Sequence, residues 1–128
     1  MDNLSTSTVV TTNEVENETP PVISTIERTV LEGNASEVIR GIYDPEIPVN
    51  IYDLGLIYGI EVTENAVVNI KMTLTSPGCP VATTLPPEVQ RKVGSIPGVY
   101  ECNVDVVWDP PWNMDMMSEE AKLDLGFF

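Results

Sequence analysis

The stretch Thr73-Leu74-Thr75-Ser76-Pro77-Gly78-Cys79-Pro80-Val81-Ala82 decides how the chain folds. It joins a run of alternating apolar residues to a Pro-Gly turn and then to a predicted helix, and it contains one of the two cysteines. A cysteine beside a helix N-terminus lies at the positive end of the helix dipole, which favours the thiolate over the thiol. The stretch therefore predicts a small α/β domain with a candidate reactive thiol at Cys79.

Two runs of alternating apolar residues precede this stretch. Residues 56–62 and residues 66–74 each carry an apolar side chain at every second position, and the polar residues 63–65 separate them. Runs of period two that are joined by a short polar turn predict an antiparallel hairpin. A glycine inside a strand marks a bulge or the close approach of another backbone, so Gly59 is expected at such an irregularity.

A helix and a third strand are predicted after the stretch. The apolar face of the helix comprises Leu85, Val89, Val93 and Ile96. The proline pair at residues 86–87 leaves two alternatives: the helix begins at Pro86, or a short turn over residues 81–85 precedes a kink. The third strand is expected over residues 99–108, with an apolar face comprising Tyr100, Cys102, Val104, Val106 and Trp108. With the second strand these elements form a βαβ unit, whose strands are parallel and whose crossover is right-handed.

The remaining predicted elements are helical. A first helix is predicted from an apolar face comprising Ala35, Val38, Ile39, Ile42 and Tyr43. It is expected to run from an N-cap at Asn34 to Asp44, because the following proline disfavours helical geometry. Ser118 is expected to cap a short C-terminal helix. The predicted fold class is α/β, or α+β: a small two-layer domain of α-β-β-α-β order with a mixed sheet of three or more strands.

The sequence predicts a tail followed by a domain. Residues 1–33 are expected to be a flexible acidic and polar tail, because they cannot bury enough apolar surface to offset the entropy of ordering. A short helix over residues 24–32, ended by Gly33-Asn34, is an alternative for the last part of this segment. Residues 34–128 are expected to form the domain.

The composition excludes several classes of function. The 128 residues include 20 acidic and 6 basic side chains and no histidine, which gives a formal charge of −14. Nucleic-acid binding and docking on anionic membranes require a basic surface, so neither is expected. Mechanisms that use imidazole as base or ligand are excluded. Without a recognisable signal peptide or an apolar run that could span a bilayer, a cytoplasmic protein with reduced thiols is expected.

The two cysteines are expected to differ in role. Cys79 lies between two prolines in a turn, where its thiol is a candidate nucleophile or soft-metal ligand, or simply a small residue that fits the turn. Cys102 lies on an apolar strand face and is expected to be buried and inert. Structural zinc usually takes four Cys or His ligands, so no zinc site is expected. Iron at Cys79 would need ligands from a second subunit, a partner, or the loop carboxylates of Asp44 and Glu46, whose alternative role is a solvated turn.

Several blocks, in order, resemble a known family. They are Asp-Pro-Glu-Ile-Pro-Val-Asn-Ile-Tyr-Asp-Leu-Gly-Leu-Ile-Tyr at residues 44–58, Met-Thr-Leu-Thr-Ser-Pro-Gly-Cys-Pro at 72–80, Trp-Asp-Pro-Pro-Trp at 108–112 and Asp-Met-Met-Ser at 115–118. Together they are similar to the SufT-like, MIP18-type family, long described as a domain of unknown function. The last two blocks look more like the SufT branch than like relatives in phenylacetate degradation. The resemblance implies a role in iron–sulfur cluster assembly or in the maturation of iron–sulfur proteins.

The resemblance also implies a site and its partners. The site comprises Asp44, Glu46, Thr75, Ser76 and Cys79, with Cys79 as the ligand of iron or of a cluster. No intrinsic cofactor is implied, only a transient iron ion or iron–sulfur cluster. The implied partners are other iron–sulfur assembly proteins and client apoproteins. A homodimer is also expected, because one chain lacks enough ligands for a cluster and its C-terminus is apolar.

Two other functions fit the residues besides an accessory factor that is not an enzyme. A thiol enzyme would use Cys79 as nucleophile and a carboxylate as base, although carboxylates are weak bases toward thiols at neutral pH. A non-catalytic adaptor would bind partners, or a second copy, through the apolar segment at residues 112–128. Loss of function on removing the Cys79 thiol would exclude the adaptor, for which Cys79 is incidental, and would leave the accessory factor and the enzyme.

Overall fold

The computed structural model describes residues 20–44, 47–75 and 84–126 of the chain. Its helices and strands are α1 (Thr25–Ile39), β1 (Ile57–Val62), β2 (Val67–Met72), α2 (Leu85–Gly94), β3 (Glu101–Val106) and α3 (Glu119–Asp124), with a 3-10 turn at Met114–Met116 before α3. This order confirms the predicted α-β-β-α-β architecture and the short C-terminal helix. None of the helices in the described residues is long and apolar enough to cross a lipid bilayer.

The strands form a mixed sheet in the order β1-β2-β3. β1 and β2 are antiparallel, with Ile60 opposite Ile70, which confirms the predicted hairpin. β2 and β3 are parallel, with Val68 opposite Cys102, which confirms the predicted parallel pairing of the βαβ unit. The register of β1 shifts between Ile57 and Gly59, as the glycine predicted. The sheet therefore follows from the period-two pattern of its sequence.

The core lies between one face of the sheet and the helices α1 and α2. Along β2, Val68, Ile70 and Met72 are buried, whereas the residues between them are partly or fully exposed. Helix α1 packs against β1 and α2, and α2 packs against β3. The helices contribute Leu31, Ala35, Ile39, Leu85, Val89 and Val93 to this core.

The predicted start of the first helix is wrong, because α1 continues through Gly33-Asn34. Its N-cap is Ser24, which forms a capping box: Glu27 N donates to Ser24 Oγ, and Ser24 N donates to Glu27 Oε1. A glycine inside a helix costs about 1 kcal/mol relative to alanine. Burial of Leu31, two residues before Gly33, contributes about 2 kcal/mol and outweighs this cost. The division of the chain at residue 33 stays a prediction for residues 1–19, which lie outside the described residues, whereas Thr25 to Gly33 belong to α1.

The predicted end of the first helix is also wrong. Helix α1 ends at Ile39, and the chain then turns at Arg40 and Gly41 instead of continuing to Asp44. Tyr43 pairs with Asn50 in an antiparallel bridge, and Ile51 N donates to Ile42 O at 2.8 Å. The backbone groups of residues 42 and 44 thus form hydrogen bonds with residues 51 and 49 instead of within a longer helix. Ile42 is still buried, so its apolar character was a core signal and not a helical one.

The boundaries after the central stretch follow the sequence more closely. Helix α2 begins at Leu85 and holds its prolines in the first turn, where backbone N–H groups have no helical partner. This start agrees with the alternative that began the helix at Pro86. Ser118 caps α3 as predicted, with Ala121 N donating to Ser118 Oγ at 3.1 Å. The third strand is shorter than predicted, so Tyr100 and Trp108 lie outside it and are exposed.

Candidate functional site

The structure describes two of the five predicted site residues. Asp44 and Thr75 lie within the described residues, whereas Glu46, Ser76 and Cys79 lie outside them. Whether all five residues form one site therefore stays a prediction. Asp44 and Thr75 are the last described residues before the two segments that contain Glu46, Ser76 and Cys79.

Asp44 lies in a loop that its own side chain helps to hold. It is only 4% exposed, and its Oδ1 accepts a hydrogen bond from Ile47 N at 3.0 Å. Its backbone N donates to Val49 O at 3.3 Å. A buried carboxylate is costly unless hydrogen bonds satisfy it, so this one acts at least as the cap of its loop. The solvated-turn alternative for Asp44 is thus wrong, because the side chain is buried.

The end of β2 leads into the cysteine segment. Thr73 N donates to Leu56 O at 2.8 Å, and Val107 N donates to Met72 O at 2.8 Å, so pairing on both sides extends to the end of the strand. Thr73 is fully buried, and its Oγ1 has no hydrogen-bond partner among the described residues. Thr75, two residues later, is half-buried. The start of the segment is therefore held firmly on the sheet.

Backbone hydrogen bonds connect the Asp44 loop with the end of β2. Ile51 N donates to Ile42 O at 2.8 Å, Leu56 N donates to Ile51 O at 3.1 Å, and Thr73 N donates to Leu56 O at 2.8 Å. The segment that leads into Asp44 is thus linked to the end of β2 through residues 51 and 56. Whether residues 46, 76 and 79 join them in one site stays a prediction.

A polar network missed by the sequence reasoning fixes the turn after this loop. Asp53 N donates to Asn50 Oδ1 at 2.9 Å, and Asn50 Nδ2 donates to Asp53 Oδ2 at 2.8 Å. Arg40 adds a charge partner, with its Nη1 3.8 Å from Asp53 Oδ1 and its Cζ 4.3 Å from the centroid of the Tyr52 ring. The signal in the sequence was the spacing Asn50-x-x-Asp53, which is typical of a side-chain cap.

The C-terminal segment packs onto the same turn. Trp112 Nε1 donates to Leu54 O at 2.7 Å, and Tyr58 OH donates to Pro110 O at 2.7 Å. Gly55 has a φ of 88° and lies against the Met116 backbone. Trp112 is thereby part of the fold, whereas Met114 and Leu123 are exposed. The apolar segment that suggested an adaptor therefore has a structural role in much of its length.

Cys102 is buried, as predicted. Only 6% of it is exposed, and burial raises the pKa of its thiol to about 11. A thiol that stays protonated at neutral pH is a poor nucleophile and a poor metal ligand. Within the described ranges, no group of three or more Cys, Asp or Glu side chains could hold a metal ion.

The expected effect of a helix dipole on Cys79 stays a prediction. The helix that follows the cysteine segment begins at Leu85, and the position of Cys79 lies outside the described residues. Thr84 stands at the N-cap of α2 without a side-chain capping bond. The side chain of Thr84 therefore accepts no hydrogen bond from the backbone N–H groups in the first turn of α2.

Comparisons with known proteins give this arrangement its context. A family model described as an iron–sulfur cluster assembly protein matches residues 33–106. A protein of Porphyromonas gingivalis named Fe-S protein maturation auxiliary factor is 50% identical over 96 residues, which cover 75% of this chain and 91% of that protein. A Bacillus subtilis protein of the same description is 41% identical over 96 residues, covering 75% of this chain and 94% of that protein.

The fold also matches a solved structure. The crystal structure of a domain of unknown function from Bacillus anthracis has a TM-score of 0.75 and 36% identity, and the match covers 82% of this chain and 100% of that chain. The range of the family match contains all five predicted site residues.

Proposed function

The chain belongs to the family of iron–sulfur cluster assembly proteins, and on that premise we propose that it is an accessory factor in the maturation of iron–sulfur proteins. The observation that carries the proposal is the 50% identity to a relative named for that role, over 75% of this chain and 91% of that relative. The proposed cargo is iron or an iron–sulfur cluster, held for a short time. The proposed partners are assembly proteins and client apoproteins.

Cys79 is proposed as the residue that contacts this cargo. The chain has two cysteines and no histidine, so its soft ligands are few. Cys102 is buried and its pKa is raised to about 11, which leaves Cys79 as the thiol suited to iron or sulfide. Glu46, Thr75 and Ser76 are proposed to line the site, and Asp44 to line it while holding the loop through its bond to Ile47 N.

A carrier role fits these residues better than catalysis. A thiol nucleophile needs a general base, and the chain offers only carboxylates, because histidine is absent. One thiol and two carboxylates are too few ligands for a cluster, so a second copy or a partner is proposed to complete it. Transient binding follows, since such a shared site dissolves when the partner leaves.

Anaerobic reconstitution tests the role of Cys79. The purified chain, the Cys79→Ser variant and the Cys102→Ala variant are each incubated with ferrous iron and sulfide, then measured by visible absorption and metal analysis. We expect the wild type and Cys102→Ala to take up equal amounts. Cys79→Ser should lose about tenfold or more in uptake, because serine does not replace a thiolate ligand.

Two outcomes would contradict the proposal. Equal uptake by Cys79→Ser would remove the thiol from the site, and no uptake by any of the three chains would rule out cargo binding by the chain alone or by two copies of it. Turnover of a thioester or disulfide substrate that Cys79→Ser abolishes would instead favour the thiol enzyme. Cys102→Ala is the matched control, because it removes the other thiol, which is buried in the core, and leaves the predicted site residues unchanged in the sequence.

A further inference from the structure

A groove runs along the outer edge of β1, which has only β2 as a neighbour in the described sheet. It consists of two cavities of about 790 and 280 Å³ that share Glu32 of α1 and Ile60 of β1. Helix α1 forms one wall, and Pro110 and Met116 lie at the far end. We call this groove the edge trough.

The edge trough follows the backbone edge of β1 and not one of its faces. Consecutive residues from Ile57 to Val62 line the two cavities. Because consecutive side chains of a strand point to opposite faces, a groove that touches all of them lies along the edge. In the described sheet no strand pairs with this edge.

The backbone groups of β1 alternate between β2 and the trough. Thr63 N donates to Val67 O at 2.9 Å, and the pairing continues with Glu61 opposite Asn69. The alternation of an antiparallel pair then points the N–H and C=O of Glu61 toward β2, and those of Ile60 away from it. Ile60 therefore presents a donor and an acceptor to the trough.

One contact shows that this edge can be bonded. Arg28 Nε donates to the carbonyl oxygen of Val62 at 2.9 Å, where another strand would otherwise donate. Val62 lies two residues after Ile60, so in the antiparallel pairing its N–H and C=O point the same way as those of Ile60. The bond to Val62 O agrees with an outward direction for both residues. A side chain thus occupies one acceptor at the end of the trough.

The charge of the trough favours a basic ligand. Glu32 and Glu61 lie in its walls, and neither forms an ion pair with another described residue; the walls also hold one cation, Arg28, whose Nε is bonded to Val62 O. The whole chain carries a formal charge of −14, which attracts basic segments from a distance. A second copy is disfavoured, because it would bring a second chain with a formal charge of −14 against the same acidic walls.

We propose that the edge trough binds an extended basic segment of a partner protein, which adds a strand to β1. Strand addition takes its affinity from main-chain hydrogen bonds and its specificity from the side chains beside the edge. Here the amide and carbonyl of Ile60 supply the bonds, and Glu32 and Glu61 select for lysine or arginine. The proposal does not depend on Cys79, so it stands or falls separately from the proposed cargo.

Amide hydrogen exchange of the full chain, followed residue by residue by NMR, tests this. The probes are two end-blocked peptides, one alternating lysine with valine and threonine, the other carrying glutamate in place of lysine. We expect the lysine peptide to slow exchange of the Ile60 amide by about tenfold or more, because that amide becomes hydrogen-bonded. The Glu61 amide, already directed toward β2, should not change, and the glutamate peptide should have no effect.

Charge reversal separates recognition from simple attraction to an acidic protein. In Glu32→Lys/Glu61→Lys the preference should reverse toward the glutamate peptide. In the control Glu37→Lys/Glu101→Lys, which changes the net charge equally at exposed positions outside the trough, the lysine peptide should still protect Ile60.

Three results would overturn the proposal. The first is equal protection by both peptides. The second is an unchanged preference after reversal of Glu32 and Glu61. The third is a slow Ile60 amide in the chain without peptide, which would mean that residues 1–19 or a second copy already occupy the edge; concentration dependence of that rate would distinguish the two.

Discussion

At the residue scale, Gly55 decides whether the C-terminal segment can lie against the turn before β1. Its φ is 88°, and an added Cβ would lie 2.8 Å from the carbonyl carbon of Met116. Gly55→Ala should therefore lower the free energy of unfolding by about 3 kcal/mol, from the left-handed backbone and from overpacking together. Urea unfolding measures this loss.

Gly126 provides the control for this prediction. Its φ is 78°, but an added Cβ there meets no atom of the described residues within 4 Å. Gly126→Ala should cost only the backbone term of about 1 kcal/mol. Equal losses in Gly55→Ala and Gly126→Ala would mean that the contact with Met116 does not constrain the fold.

At the scale of the elements, α1 carries a residue that weakens it without a structural need. Gly33 lies on the exposed side of the helix, and an added Cβ would meet nothing within 4 Å. Gly33→Ala should stabilise the protein by about 1 kcal/mol. The melting temperature should rise by about 4 °C. An unchanged or lower melting temperature would contradict the helical geometry at this position.

The elements also show which structure the sequence could predict. The strands were predictable because one buried face imposes a period of two, and residues 57–62 and 67–72 keep that period. The extent of α1 was not predictable. Gly33-Asn34 is a local signal that ends a helix, and the burial of Leu31 and Ala35, which keeps the helix intact there, depends on tertiary packing. The capping pair Ser24 and Glu27 was visible in the sequence and marks the true start.

The candidate site was predictable only in part. The burial of Cys102 followed from an apolar strand face, whereas Asp44 entered the predicted site through the family resemblance and its burial was not predicted. The buried hydroxyl of Thr73 could not be found, because threonine at the end of a strand is ordinary until the packing around it is known. The set of bonds from Ile42 to Thr73 joins residues distant in sequence, and periodicity carries no information about such pairs.

At the scale of the whole molecule, the structure places the start of the packed domain before residue 34. A chain that begins at Asn34 would lose the cap at Ser24, the buried Leu31 and the bond from Arg28 to Val62 O. We expect it to be less stable by about 3 kcal/mol or more, from one cap and one buried leucine. A chain that begins at Pro20 keeps all three contacts and is the matched control.

Thermal unfolding of these two shortened chains checks the prediction. The chain from Pro20 should melt close to the full chain, and the chain from Asn34 should melt well below it. Identical melting temperatures would mean that the first half of α1 adds nothing to the domain, in spite of its buried leucine.

Because Cys102 is buried, the reaction of its thiol with a reagent in solution can be used to measure local opening of the domain. An alkylating reagent in water reaches this sulfur only after β3 has separated from α2, the helix whose Gln90 Nε2 donates to the Cys102 carbonyl oxygen. When reclosing is faster than alkylation, the rate at which that sulfur is modified therefore reports the fraction of time that the domain spends in opening events. Mass spectrometry of the modified peptide would follow those events in a cell extract, with no dye or tag introduced.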